Sequence, residues 1–240
     1  MRAARAALAF LTRLPAGPLD SADFTRAPAW FGAVGLGIGA VAAGVWFLAS
    51  WLWGPVLGPL AAVSAGVLLT GALHEDGLAD SFDGLGSGRP TERALEIMRD
   101  SRIGSFGALA LGVVLAARVT ALAALGPVAP AALIAGQGLS RTGMAVMLRV
   151  GPYVRPSGAG TGMTGPQPLA PVLAAVLAAC GLTLWASGWG LLTALLGLAL
   201  AQLAIRGWAR RRLGGITGDV LGAAQVLGDL GFLLGLLAWR

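Results

Sequence analysis

The sequence predicts an all-α fold: a polytopic integral membrane helical bundle of about seven transmembrane helices, with its N-terminus on the cytoplasmic side. Three observations carry that prediction. Hydrophobic residues fill 56% of the 240 positions and charged residues only 12%, with a mean hydropathy of +0.77, whereas a soluble domain carries roughly 25% charge. Apolar runs approaching the ~20 residues needed to cross a bilayer recur along the chain. The connections between those runs alternate between charged and uncharged, as the positive-inside rule requires. Transmembrane β-strands would show apolar–polar alternation over segments of about 10 residues, and none occurs.

The elements follow in order. "MRAARAALAFLTRLP" resembles a leader superficially, but Arg13 and Pro15 interrupt its apolar stretch and no small-residue cleavage pattern follows. An uncleaved, partly amphipathic helix on the cytoplasmic surface is expected there. The spans are expected at Phe31–Trp53, Pro55–Leu73, Ser105–Leu125, Pro130–Leu148, Leu169–Ala186, Gly190–Ile205 and Val220–Trp239. Residues 1–30, 74–104, 149–168 and 206–219 hold nearly all the charge, while the connections at Gly54, Gly126–Ala129 and Ser187–Gly190 hold none. Seven spans then leave Arg240 on the outer side. Gly35 and Gly39, and again Gly231 and Gly235, have the spacing that lets helices approach closely in lipid. Trp30, Trp51, Trp53, Trp189 and Trp239 stand near span ends, where tryptophan anchors the interface. The whole chain, 1–240, reads as a single integral membrane catalytic domain.

Charge excludes some partners. The net charge of +6 comes from 17 arginines and no lysine, spread over the connections rather than gathered in a patch. That spread fits span orientation in a lipid bilayer and argues against a nucleic-acid partner. Cys180 is alone in an apolar run, so no disulfide or cysteine metal site exists. Nothing in the sequence requires or excludes a homo-oligomer.

Four of the 11 acidic residues fall within "HEDGLADSFDG", residues 74–84. Asp76, Asp80 and Asp83 stand at i, i+4 and i+7, which places them on one narrow helical face if the second span continues past Leu73. A solvated helix end is the plain reading. A calcium loop fails, because the spacing misses the 1, 3, 5 pattern and no closing Glu follows. A Mg²⁺ site fits: magnesium takes few carboxylates and shares its other positions with water and substrate phosphates. Gly77 and Gly84 are expected to leave space for substrate beside the backbone. His74, the only histidine, has an unperturbed pKa suited to acid–base work.

The next stretch, "RPTERALEIMRDSRIG" at 89–104, supplies Arg89, Arg93, Arg99 and Arg102 for forked recognition of phosphate, with Glu96 and Asp100 as a further carboxylate pair. A salt-bridged surface helix is the plain reading here. Arg118, Arg141 and Asp229 lie inside spans, where an unpaired charge costs at least about 2.5 kcal/mol, so at least one arginine is expected to face Asp229 or a polar cavity. Thr217 and Asp219 are placed to cap the last helix, which is the plain reading, or else Asp219 reaches the acidic cluster.

"FLTRLP" (10–15), "HEDGLADSFDG" (74–84), "EIMRDSRIGSFGALAL" (96–111), "SR" (140–141) and "TGDVLGA" (217–223), in that order, resemble the cobalamin-5′-phosphate synthase (adenosylcobinamide-GDP ribazoletransferase) family nearly end to end. Gln225 and the loop "YVRPSGAGTG" depart from the family pattern. The resemblance implies a multi-pass enzyme of a bacterial or archaeal cytoplasmic (inner) membrane, its active site facing the cytoplasm. It would join adenosylcobinamide-GDP to α-ribazole or its 5′-phosphate, releasing GMP, with Mg²⁺ as cofactor. Asp76, Asp80, Asp83 and Glu96 would hold the metal. Arg99, Arg102 and Arg141 would stabilise the transferring phosphoryl group, and Asp83 or Asp100 would serve as base, with His74 beside them. Arg13, Arg89, Ser101, Ser140 and Asp219 would bind substrate. A CDP-alcohol phosphotransferase is the nearest alternative. Asp80 to Gly84 fit the start of its motif, but Gly88-Arg89 falls one residue late and the downstream aspartates are missing. A transporter would carry its charges at the bilayer midplane rather than on one face.

Overall fold

The computed structural model describes every residue except Pro156, Ser157, Ala159 and Arg240, so the expected outer position of Arg240 and part of the 153–162 loop lie outside the described residues. The described residues form helices joined by turns and loops, with no strand. Helix α1 (Arg2–Leu11) is not a free surface helix. It buries Ala6, Ala7 and Leu11, and Phe10 stacks on Phe31 with ring centroids 5.5 Å apart. The short α2 (Ser21–Phe24) is held by a reciprocal capping box between Asp20 and Asp23. A 3₁₀ turn at Ala27–Trp30 then feeds α3 (Phe31–Trp53), the first expected span.

The second expected span is where the structure departs. Helix α4 (Leu57–Thr70) ends after 14 residues, about 21 Å, short of a ~30 Å hydrocarbon core. Gly71 and Ala72 both adopt left-handed backbone, and the chain turns by 89° into a separate helix, α5 (Leu73–Gly86). The acidic motif therefore sits on its own helix rather than on a straight continuation of the span. After α6 (Thr91–Ile97) come α7 (Ser105–Leu125) and α8 (Ala129–Val150). These two form an apolar stretch of 46 residues divided at Gly126, where φ is +53°. Helices α9 (Leu169–Ser187), α10 (Gly190–Leu213) and α11 (Gly218–Ala238) complete the bundle.

Five of these stretches are long and apolar enough to cross a membrane, or six with the bent α4–α5 pair taken as one. The 46-residue stretch has the length of two spans. The surface agrees: Phe47, Trp51, Trp53, Leu177, Trp185 and Trp189 are exposed, as lipid-facing and interfacial side chains should be. Helix α11 is the axis: it buries far more of its residues than α9 does, and it packs on α5, α7, α8 and α10. The glycine pairs behave as their spacing predicts. A Cβ at Gly35 or Gly39 would strike the backbone of α8, and one at Gly231 or Gly235 the backbone of α10. Cys180 is half-buried against the core and free.

Candidate active site

The site grows out of the crossing of α5 and α11. Thr217 caps α11, its Oγ1 accepting from the Val220 amide at 3.3 Å. A Cβ at Gly77 would lie 2.7 Å from the Asp219 carbonyl oxygen, and one at Gly222 would lie 3.2 Å from the His74 Cα. The space at Gly77 is thus taken by α11, and that at Gly84 by Met98, rather than left open for substrate as the sequence suggested. Beside them, residues 152–154 pair with Ile216: its amide donates to the Pro152 carbonyl at 2.9 Å and its carbonyl accepts from the Val154 amide at 3.0 Å. That pairing carries Arg155 to Asp219, with an ion pair of 2.7 Å, and to the Met98 carbonyl at 3.4 Å.

Two cavities meet at Asp76. The open one, about 430 Å³, has Asp76 and Asp80 on one wall and Arg99, Asp100, Ser101 and Arg102 on the other. The enclosed one, about 110 Å³, is bounded by His74, Asp76, Tyr153, Arg155, Asp219 and apolar side chains. Asp76 and Asp80 stand one turn apart, and among the described residues neither has an ion pair or a side-chain hydrogen bond. Arg102 grips Asp100 through contacts of 2.7–3.2 Å, and this holds the Asp100 carboxyl down at about 2.

The other expected site residues are not gathered here. Asp83 turns to the start of α7 and accepts from the Gly104 and Gly107 amides at 2.8 and 2.9 Å, so it caps that helix. Glu96 pairs with Arg93 at 2.7 Å on the exposed α6. Among the described residues no three His, Cys, Asp or Glu side chains converge as a metal cage, so Asp76, Asp80, Asp83 and Glu96 are not brought together. Arg89 is exposed, and its carbonyl accepts from Arg212. The Arg13 guanidinium lies over Gly71 at the α4–α5 bend. Ser140 and Arg141 are wholly buried: Ser140 accepts from Gln225 at 3.0 Å, and Arg141 donates to Gln137. A lone Mg²⁺ still fits, because it needs only one or two carboxylates plus substrate phosphates and water, and Asp76 with Asp80 supply two without partners.

Below the groove runs a buried network. Arg118 meets Asp229 at 2.9 Å and Glu75 at 3.3 Å, and Gln137 donates to Asp229 at 2.9 Å. The expectation that an intramembrane arginine faces Asp229 is met by Arg118. Glu75, Gln137, Tyr153 and Arg155 were not singled out from sequence. A polar Gln one helical turn before Arg141 in a span was the available signal for the network, and the Tyr and Arg of the 153–162 loop were the signal for Arg155.

A model of the cobalamin-5-phosphate synthase family matches residues 3–237. Relatives described as adenosylcobinamide-GDP ribazoletransferase include that of Shewanella frigidimarina, 38% identical over 97% of this chain and 92% of the relative. That of Vibrio cholerae is 40% identical over 97% and 92%, and that of Klebsiella pneumoniae 42% identical over 97% and 98%. No solved structure matches. With the motifs in order and the match running end to end, this chain belongs to the cobalamin-5-phosphate synthase family.

Proposed function

We propose that this membrane protein is an adenosylcobinamide-GDP ribazoletransferase, joining adenosylcobinamide-GDP to α-ribazole or its 5′-phosphate and releasing GMP. The observation that carries the reading is the open groove, where the unpaired carboxylates of Asp76 and Asp80 face Arg99 and Arg102. Cations opposite bare carboxylates are the parts that phosphoryl transfer needs. The acceptor hydroxyl attacks the phosphorus attached to the corrinoid, the bond from that phosphorus to the GMP oxygen breaks, and GMP leaves with the electron pair. Arg99 and Arg102 bind the diphosphate oxygens and stabilise their charge. Asp100 is a weak proton acceptor while Arg102 holds it, and with Asp76 and Asp80 given to the metal the hydroxyl proton leaves to solvent in the open groove. Mg²⁺ held by Asp76 and Asp80 would neutralise charge on the diphosphate.

The groove opens among the arginine-rich connections, which supports a cytoplasmic-facing site in the inner membrane of a bacterium or archaeon. In detergent or liposomes the purified protein should release GMP from adenosylcobinamide-GDP when α-ribazole and Mg²⁺ are supplied. EDTA should stop the reaction and Mg²⁺ restore it. Asp76→Asn and Asp80→Asn should each cut turnover by about 100-fold or more while inserting normally. Near-normal turnover in both variants would remove the metal-binding role.

A further inference from the structure

The enclosed cavity behind Asp76 has a composition that the phosphate chemistry does not explain. Its apolar lining includes the stacked rings of Phe10 and Phe31 with Met144, Leu148 and Met163. Its polar lining includes Asp76, Asp219, Tyr153 and Arg155. His74 belongs to the same lining, is 1% exposed, and its Nδ1 and Nε2 have no hydrogen-bond partner among the described residues. Buried polar groups are nearly always paired, so a buried imidazole facing a cavity with both nitrogens free points to a ligand atom. At about 110 Å³ the cavity is smaller than the ~150 Å³ apolar site that takes benzene, so it takes one edge of a flat bicycle, the rest standing in its mouth. A ring enters such a space edge first, and a corrinoid macrocycle does not.

We propose that this cavity binds the planar aromatic base of the acceptor nucleoside, with His74 donating a hydrogen bond to the base's unsubstituted ring nitrogen. The proposal rests on the transferase reading above and deepens it. A ribazole is a benzimidazole riboside: a flat, mostly apolar bicycle with one free nitrogen that accepts and does not donate. Methionine sulfur and aromatic faces suit its rings. The sugar is left at the mouth, where Asp76 and Asp219 can accept from its hydroxyls. Asp76 also lines the open groove, so a ribose hydroxyl emerging there points toward the diphosphate. The two cavities thus divide the substrates, acceptor base inside and donor diphosphate outside.

Steady-state kinetics with both substrates varied test the division. Met144→Phe and Met163→Phe narrow the cavity and should raise the KM for α-ribazole by about tenfold or more, leaving that for adenosylcobinamide-GDP within about twofold. His74→Leu should abolish selectivity between α-ribazole and the matching indole riboside, which lacks the accepting nitrogen. The wild type should prefer α-ribazole by about tenfold or more. An unchanged acceptor KM in both methionine variants, or preserved selectivity in His74→Leu, overturns the assignment. Calorimetric titration of α-ribazole into the wild type and Met144→Phe, without donor, separates this idea from the activity. Binding that the variant weakens supports the cavity even if no GMP is released, a result that would overturn the transferase reading alone. Equal binding by both proteins overturns the cavity assignment.

Discussion

Replacing Arg118 by leucine should be the most damaging single change in the membrane interior, and its interaction with Asp229 should invert in sign. Arg118 serves two acids at once, Asp229 at 2.9 Å and Glu75 at 3.3 Å, and the three side chains are 6%, 2% and 10% exposed. Breaking a buried pair by removing one partner costs about 3–5 kcal/mol, because a charge is left uncompensated. Arg118→Leu takes the direct partner from two acids and leaves only Arg141 near them, which puts its cost within that range. Asp229→Asn is milder. Arg118 keeps Glu75, the amide oxygen can still accept from Gln137, and the loss is that of one charge-assisted bond, about 1.5–3 kcal/mol. In the Arg118→Leu background the same Asp229→Asn change removes an orphaned charge and should stabilise. Unfolding of the three variants in nanodiscs, followed by denaturant titration, measures the cycle. Additive effects, or an Arg118→Leu variant no worse than Asp229→Asn, would refute the shared-arginine account.

Asp83→Ala should lose the cap of α7, about 1–2 kcal/mol, and speed amide exchange at 104–108, with Asp83→Asn affected less; unchanged exchange would contradict the capping role. Ala72→Gly should raise stability by up to about 1 kcal/mol because Ala72 sits at φ +59°, whereas Gly71→Ala should lower it, from its φ of +64° and a Cβ driven into Arg13; thermal unfolding of both variants checks the opposed signs. Asp100 is lowered from 3.8 to about 2, so its pair with Arg102 contributes fully above pH ~4 and is lost only as pH falls through ~2. An activity loss between pH 8 and 5 should therefore keep its shape in Asp100→Asn, and a shifted midpoint in the pH–rate profile would contradict this.

What the sequence made legible was what twenty neighbouring residues can encode. Hydrophobic runs, loop charge and glycine spacing are local properties, and the helices, their close contacts and the belt of exposed apolar residues follow from them. The break after α4 was hidden because "LLTGALHEDG" shows no proline, and its second left-handed residue is an alanine, which rarely takes that backbone. Periodicity placed Asp76, Asp80 and Asp83 on one face but could not say that the start of α7 would claim the last of them. Arg155 and Asp219 meet only because Ile216 pairs with the 152–154 segment, a contact with no trace in either stretch alone.

The arrangement of α5 explains why two carboxylates are left without partners in a chain with so few. Its rotation is fixed from three directions: Glu75 reaches in to Arg118, Gly77 lies against the backbone of α11, and Asp83 grips the start of α7. Successive residues turn by about 100°, so with Glu75 facing inward Asp76 must point elsewhere, and Asp80 follows it one turn on. Two like charges on adjacent turns repel, and a helix free to rotate would turn them toward Arg155. Here Arg155 is taken by Asp219 and Arg102 by Asp100. Those two cations are engaged with other acids, the helix cannot rotate, and the unpaired carboxylates stay aimed into the groove, across from Arg99, because the buried network beneath holds them there.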